Sequence, residues 1–453
     1  MAEQVDVVVI GLGVGGEEAA GRLAEAGLNV VGIEPRLVGG ECPYYGCIPS
    51  KMMIRAANLI AETRRVDGMA GTATVQPDWA PVAKRIRDEA TDNWNDQVAV
   101  DRLVKKGVTF VREHATITGP RSVKAGDREF EASKGIIVAT GTVPLVPPID
   151  GLAGTPFWTN QDAVRVETLP ASLIVLGGGA IGVELTQVFA RFGVAVTVVE
   201  GAERILSMEE PESGDLAREA LERDGVTVNT GVHASKVAHD GNSFTVTLDD
   251  GRSVSAEKLL VATGRRVDIK GLGLDQVGLD ADARRIEVDE HVRAADGVWA
   301  VGDVTGVGAF THTAMYQANI AVHDILGTQD APLARYHAMP RVTFTDPEIG
   351  AVGLTEKQAR EHGLNIATGV TQIPSSSRGW IHKAGNEGFI KLVVDTDRGV
   401  LVGATSAGPT GGEVLSALAI AVHAAVPVHS LQQVIYAYPT FHRAIGDALK
   451  DLF

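Results

Sequence analysis

One arrangement occurs twice in this chain: an apolar strand, a glycine-rich turn, a helix and a second strand that ends in an acid. Val7-Val8-Val9-Ile10 has no alternation of polar and apolar residues, the pattern of a parallel strand covered on both faces. Gly11-Leu12-Gly13-Val14-Gly15-Gly16 follows at once. The composition predicts a helix from about Gly16 to Ala26, stopped by Gly27, and then a strand from Val30 to Ile33 with Glu34 at its tip. Leu173–Leu176, Gly177-Gly178-Gly179-Ala180-Ile181-Gly182, a helix, and Val194–Val199 ending at Glu200 repeat the arrangement. Glu34 stands 23 residues after Gly11, and Glu200 stands 23 residues after Gly177. Gly11, Gly13 and Gly16, like Gly177, Gly179 and Gly182, let the backbone turn sharply and bring N–H groups close to a pyrophosphate at a helix N-terminus. Each terminal carboxylate can accept hydrogen bonds from a ribose diol. One such turn is weak evidence, because glycine-rich surface turns arise by chance. Two with matching strand, helix and acid predict two dinucleotide-binding units.

The echo extends further. Ile137-Val138-Ala139-Thr140-Gly141 and Leu260-Val261-Ala262-Thr263-Gly264 are each preceded by a hairpin-like stretch, with turns at Ala125-Gly126-Asp127 and Asp250-Gly251. Pro144, Pro147 and Pro148 mark a linker, and after about Leu333 the character changes to α+β. A length of 453 residues, at about 150 per domain, agrees with roughly three domains. The net charge of −16 argues against nucleic acid or an anionic membrane as partner. The start carries no basic n-region, and Val414–Val428, broken by Ser416, His423 and Pro427, reads as a buried helix rather than a membrane span. A soluble cytoplasmic protein is the expectation.

The two cysteines, Cys42 and Cys47, lie in Gly39-Gly40-Glu41-Cys42-Pro43-Tyr44-Tyr45-Gly46-Cys47-Ile48-Pro49-Ser50-Lys51. In an ideal helix, residues five apart have Cα atoms about 8.6 Å apart, whereas a disulfide needs roughly 4.4–6.8 Å. The pair can close only if the turn between them is distorted, which Pro43 and Gly46 allow. A bridge over so short a loop adds little stability, so a redox-active pair is the favoured reading, against two ordinary buried thiols or a metal site lacking further cysteines.

These residues bring a resemblance into view. Gly-Gly-x-Cys-x-x-x-x-Cys-x-Pro-Ser-Lys is similar to the flavin-dependent pyridine nucleotide–disulfide oxidoreductases, the group of dihydrolipoamide dehydrogenase, glutathione reductase and mercuric reductase. The resemblance runs on through Gly264-Arg265-Arg266, Val301-Gly302-Asp303, Phe344-Thr345-Asp346-Pro347-Glu348-Ile349 and Val352-Gly353-Leu354-Thr355-Glu356. It implies an α/β fold with two Rossmann-like dinucleotide-binding domains and a C-terminal α+β dimerisation domain. The implied segments are 1–148 for FAD, 149–266 for NAD(P)H, 267–333 completing the FAD domain, and 334–453 as the interface domain. By the same resemblance Glu34 binds the adenosine ribose, the Ala115 backbone meets the adenine, and Asp303 binds the ribityl chain. Thr140, Gly141, Gly302, Gly264 and Arg265 join the cofactor-binding set. Cys47 is the thiol against the flavin, Cys42 faces substrate, and Lys51 pairs with Glu184 near the reacting flavin nitrogen. Glu41 departs from the pattern, since relatives often place Thr there beside the flavin pyrophosphate; it is expected to point away. Glu200 disfavours a 2′-phosphate, so NADH is expected over NADPH, although nearby Arg204 could blunt the preference.

The C-terminus departs further. Many relatives carry His-Pro-Thr-x-x-Glu, whose His is the acid–base partner of the substrate-facing thiol across a homodimer interface. Here Tyr438-Pro439-Thr440-Phe441-His442-Arg443 stands instead. A phenol with pKa about 10 is protonated by roughly a thousand to one at neutral pH and is a poor base. If Pro439 starts a helix, His442 lies on the same face as Tyr438 and is a substitute base, or it is an ordinary surface histidine. His312 and His423 are weaker candidates, and Tyr44 and Tyr45 either shape the substrate entrance or only pack. The expected function is NADH-dependent, flavin-mediated reduction of the Cys42–Cys47 pair, and then of a small-molecule acceptor: a metal ion, a quinone or a disulfide with a good leaving thiol. The alternatives are a quinone reductase or oxidase with incidental cysteines, and a non-catalytic redox-responsive flavoprotein. No resident metal is expected.

Overall fold

The computed structural model describes residues 1–452. The chain forms two compact units, one of residues 1–49, 84–145 and 265–336, the other of residues 50–83, 146–264 and 337–453.

In the first unit, strand Glu3–Ile10 lies at the centre of a parallel run, with Arg128–Val138 on one side and Val30–Ile33, then Thr109–Val111, on the other. Val298–Ala300 adds in parallel beyond Arg128–Val138. The core residues Val7, Val8 and Val9 are fully buried, which explains their unbroken apolar run. Helix Val14–Glu25, through Ala19, Ala20 and Leu23, and helix Thr311–Leu326, through Ala318, Ile320 and Ala321, pack in a common cluster on one face of the sheet. The hairpin expected at Ala125-Gly126-Asp127 is present, with Ser122–Ala125 antiparallel to Arg128–Val138.

In the second unit, Thr227–Thr230, Ala195–Glu200, Ser172–Leu176 and Lys258–Val261 form a parallel sheet in that order. The alternating strand Phe244–Leu248 buries Phe244, Val246 and Leu248 and is the middle of a three-stranded antiparallel sheet. Residues from Pro340 onward build a five-stranded antiparallel sheet, covered by helix Gly411–His423. That helix corrects the reading of Val414–Val428 as buried: Leu415, Leu418 and Ala421 face the sheet, but Ile420 is 67% exposed. Among the described residues no helix is long and apolar enough to cross a membrane.

Residues 50–83 group with the second unit because helix Cys47–Arg64 and Trp79 anchor there. Trp79 stacks edge-on to Phe192 and donates to the Val166 carbonyl. Deeper, Arg191 is 2% exposed. It donates to Asp224, Asn58 and Asp346, each at 2.8 Å, while Arg65 reaches the same Asp346 oxygen at 2.7 Å. Burial alone would push the Asp346 carboxyl up. The charges of Arg191 and Arg65 and their hydrogen bonds outweigh it and hold the group below its ordinary value. A depressed carboxyl contributes stability that is complete above its unfolded value, near pH 4, and is lost as pH falls through the native one. Arg191→Met therefore leaves Asp346 with Arg65 alone and Asp224 with only the Gln187 amide. Denaturant unfolding at pH 7 should show a loss of about 3–5 kcal/mol, narrowing below pH 4. An unchanged midpoint at pH 7 would contradict the role assigned to Arg191.

Candidate active site

The two glycine turns match atom for atom. A Cβ on Gly11 would lie 2.5 Å from the Ala139 carbonyl oxygen, and one on Gly177 would lie 2.4 Å from that of Ala262. Gly16 and Gly182 close in the same way on the carbonyls of Gly11 and Gly177. Packing therefore demands glycine at the first and last positions of each turn. It does not at Gly13 or Gly179, where a Cβ would meet nothing within 4 Å. Each of these is the N-cap of its helix, so its small size leaves an open cradle where backbone N–H groups face outward. A pyrophosphate fits both cradles.

The terminal acids serve the turns as well. Glu34, 8% exposed, accepts from the Leu12 and Arg36 backbone N–H groups, both at 2.9 Å. Glu200 accepts from Gly178 N at 2.5 Å and Ala202 N at 2.7 Å. Each carboxylate oxygen spends one lone pair on the backbone and keeps capacity for a ribose hydroxyl. Thr140 and Gly141 follow strand Arg128–Val138, and the Thr140 hydroxyl is a buried polar atom without a hydrogen-bond partner. The backbone of Ala115 begins strand Ala115–Ile117, and Gly264 follows strand Lys258–Val261 in the second unit.

Gly302 and Asp303 open a short turn that Gln317 fixes by accepting from Gly302 N at 2.7 Å. Asp303 accepts from the Thr142 hydroxyl at 2.7 Å. Burial pushes its carboxyl up, against that hydrogen bond and the charge of Arg265. Arg265 turns its Nε and Nη2 onto Thr142 and approaches Glu41 at 3.4 Å. Glu41 thus meets a cation, which answers the departure noted there.

The helix that would separate the cysteines is broken. Glu41–Tyr44 is one turn, Tyr45 and Gly46 interrupt it, and Cys47 starts helix Cys47–Arg64. Both cysteines are half-buried, and their thiols are hydrogen-bonded to each other. That bond, then burial, pushes the Cys42 thiol far above its ordinary value, although Thr311 opposes the shift. Cys47 stands at a helix N-terminus, 3.3 Å from the Thr311 hydroxyl, a position that favours the charged form of a thiol. Cys42, Tyr44, Thr91, Arg102, Thr311 and Met315 are among the residues lining a cavity of about 610 Å³. Tyr44 is both buried and part of that wall.

In the second unit Lys51 bonds Glu184 at 2.7 Å and lies 4.8 Å over the Phe344 ring. Glu184 also accepts from Phe344 N at 2.8 Å. The expected pair is present, with Phe344 as an anchor that sequence reasoning passed over. Tyr438 is 69% exposed, with Arg443 stacked 5.6 Å from its ring. The helix expected from Pro439 begins instead at Ala444, after a single turn at Phe441–Arg443. Thr440 is extended, so the four-residue spacing does not put His442 on Tyr438's face. His442 sits 3.4 Å from the Thr440 hydroxyl, beside the Tyr436 ring. His312 stacks on Phe310 and His423 on His337. Among the described residues no group of three or more His, Cys, Asp or Glu side chains could hold a metal ion.

Thr142 follows the Ala-Thr-Gly motif directly, and Phe344 heads Phe-Thr-Asp-Pro, so both lay beside a legible signal. Thr311 and Gln317 had none.

Residues 5–318 match the pyridine nucleotide-disulphide oxidoreductase family, and residues 339–449 match that family's dimerisation domain. The chain belongs to this family. It is similar to the dihydrolipoyl dehydrogenases of Chlorobaculum tepidum, 34% identical over 100% of this chain and 97% of the relative, and of Thermus scotoductus, 34% identical over 99% and 97%. Among solved structures it is similar to the Cu(II) complex of the HOCl-induced flavoprotein disulfide reductase RclA from Escherichia coli, with a TM-score of 0.85 and 27% identity over 99% of both chains. LpdA from Mycobacterium tuberculosis gives a TM-score of 0.86 at 27% identity, over 99% of this chain and 100% of that one. The pyridine nucleotide-disulphide oxidoreductases depend on FAD and use pyridine nucleotides as substrates. Glu34→Ala would leave two backbone donors at the first turn without their acceptor. The purified variant should retain at most a tenth of the wild-type FAD affinity, consistent with roughly 1–3 kcal/mol for the orphaned groups. Unchanged affinity in fluorescence titration would remove Glu34 from the site.

Proposed function

We propose that this oxidoreductase takes two electrons from NADH through bound FAD to the Cys42–Cys47 disulfide and delivers them to a small external acceptor. The observation that carries this reading is the contact of the two thiols at a helix start, in the unit that also presents the first glycine turn and Glu34. FAD, when bound, supplies the ring that accepts hydride. The backbone at Gly11, Gly13 and Gly16, with Glu34, would hold its pyrophosphate and adenosine ribose. Ala115, Thr140, Gly141, Gly302 and Asp303 would hold the adenine and ribityl ends. Gly177, Gly179, Gly182, Glu200 and Gly264 would hold the nicotinamide dinucleotide, with the Glu200 carboxylate favouring a free 2′-hydroxyl. Arg265 would act from beside Asp303. The family resemblance assigns Lys51 and Glu184 to the reacting flavin nitrogen.

Reduction cleaves the S–S bond. Cys47, at the helix start, takes the thiolate against the flavin, and Cys42 faces the acceptor, as the family resemblance implies. A homodimer joined through the matched dimerisation domain accounts for the apolar residues left uncovered there, with Ile435 at 98% and Trp380 at 77% exposure. Tyr438 would then face the partner subunit's Cys42 as a proton or hydrogen-bond donor. A phenol serves poorly as a base, and His442 is the neighbouring alternative. An acceptor that needs little base assistance follows: a metal ion, a quinone or a disulfide with a good leaving thiol. The copper complex of RclA supports the metal ion among these.

Anaerobic titration with NADH should develop a long-wavelength band from the Cys47 thiolate beside flavin. Cys47→Ser should abolish it and Cys42→Ser should keep it; a band that survives Cys47→Ser would refute the assignment. Glu200→Ala should lower kcat/KM for NADH by roughly tenfold, the size of one lost charge-assisted hydrogen bond. An equal effect on NADPH would count against the discrimination.

A further inference from the structure

The break between the cysteines raises a question of satisfaction. A helix that stops at Tyr44 leaves its last carbonyls without intrahelical donors. The Tyr44 carbonyl is taken up from outside the helix: the Trp94 indole N–H donates to it at 3.1 Å. Trp94 is held for this task by an unusual piece of backbone. Residues Ile86–Ala90 form a π-turn. The next three residues after Thr91, namely Asp92, Asn93 and Trp94, have φ of 46°, 54° and 56°. None is glycine, and three successive left-handed residues persist only where the surroundings over-determine them. Thr91, 1% exposed, does so. Its hydroxyl donates to the Ile86 carbonyl at 3.0 Å and accepts from Trp94 N at 3.3 Å. Thr91, Asp92 and Asn95 also line the cavity that contains Cys42.

We propose that Trp94 is a positioning residue for the redox pair: by holding the Tyr44 carbonyl, its indole fixes the short connection at Tyr45 and Gly46 so that Cys42 and Cys47 stay within bonding reach. The inference rests on the redox reading of the pair. Its consequence has a sign. The disulfide requires the two sulfurs in bonding contact, whereas the dithiol tolerates a wider connection between them. Removing the indole donor therefore favours the dithiol.

The test is a thiol–disulfide equilibrium of the holoenzyme in dithiothreitol buffers, quenched by alkylation and read by mass. One S–S bond forms in the protein and one breaks in cyclic dithiothreitol, which takes up two electrons and two protons. Trp94→Phe keeps the ring and loses the donor, and its equilibrium constant for disulfide formation should fall at least threefold. Thr91→Val, which frees the turn that aims Trp94, should shift the same way and carries the test if Trp94→Phe does not fold. Constants equal to wild type in the folded variants would overturn the role of Trp94 alone. A wild-type pair that stays reduced at every ratio would overturn the redox reading and this role with it.

Discussion

A continuous helix running from Glu41 through Lys51 would hold the two cysteine Cα atoms about 8.6 Å apart, beyond the reach of a disulfide. The interruption at Tyr45 and Gly46 removes that obstacle and makes Cys47 a helix start in the same stroke. Both consequences matter. Proximity lets two sulfurs share one proton. A helix N-terminus at Cys47 favours a thiolate there.

The surrounding structure is a duplication whose two copies agree in detail. In both, an Ala-Thr-Gly segment presses its alanine carbonyl against the first glycine, and a terminal glutamate ties down the turn. Glycine at Gly13 and Gly179 has no packing reason, in agreement with the pyrophosphate cradles proposed there. Glu34 and Glu200 combine a structural task with spare acceptor capacity, so an acid in such a turn need not be read as one or the other.

Much of this was legible in the sequence because it is periodic or local. Unbroken valines announced buried parallel strands, and the turns at Ala125-Gly126-Asp127 and Asp250-Gly251 announced antiparallel hairpins. The spacing of glycines and acids announced the nucleotide turns. What stayed hidden depends on contacts between distant segments. Nothing near Thr311 or Trp94 signals that a hydroxyl and an indole from far along the chain reach the cysteine loop. The helix expected at Pro439 failed because a proline can as readily sit in an extended connection as open a helix, and Thr440 took the extended course. The helix after Gly411 was expected to be buried. Its hydrophobicity suits two surfaces, its own sheet and an outward face carrying Ile420.

The central claim is that the sulfurs hold electrons in addition to the flavin. Counting electrons tests it most directly. Anaerobic titration of the purified, flavin-loaded protein with dithionite should consume four electrons per flavin before the spectrum stops changing, two for the ring and two for the disulfide. An end point at two electrons per flavin would contradict the account.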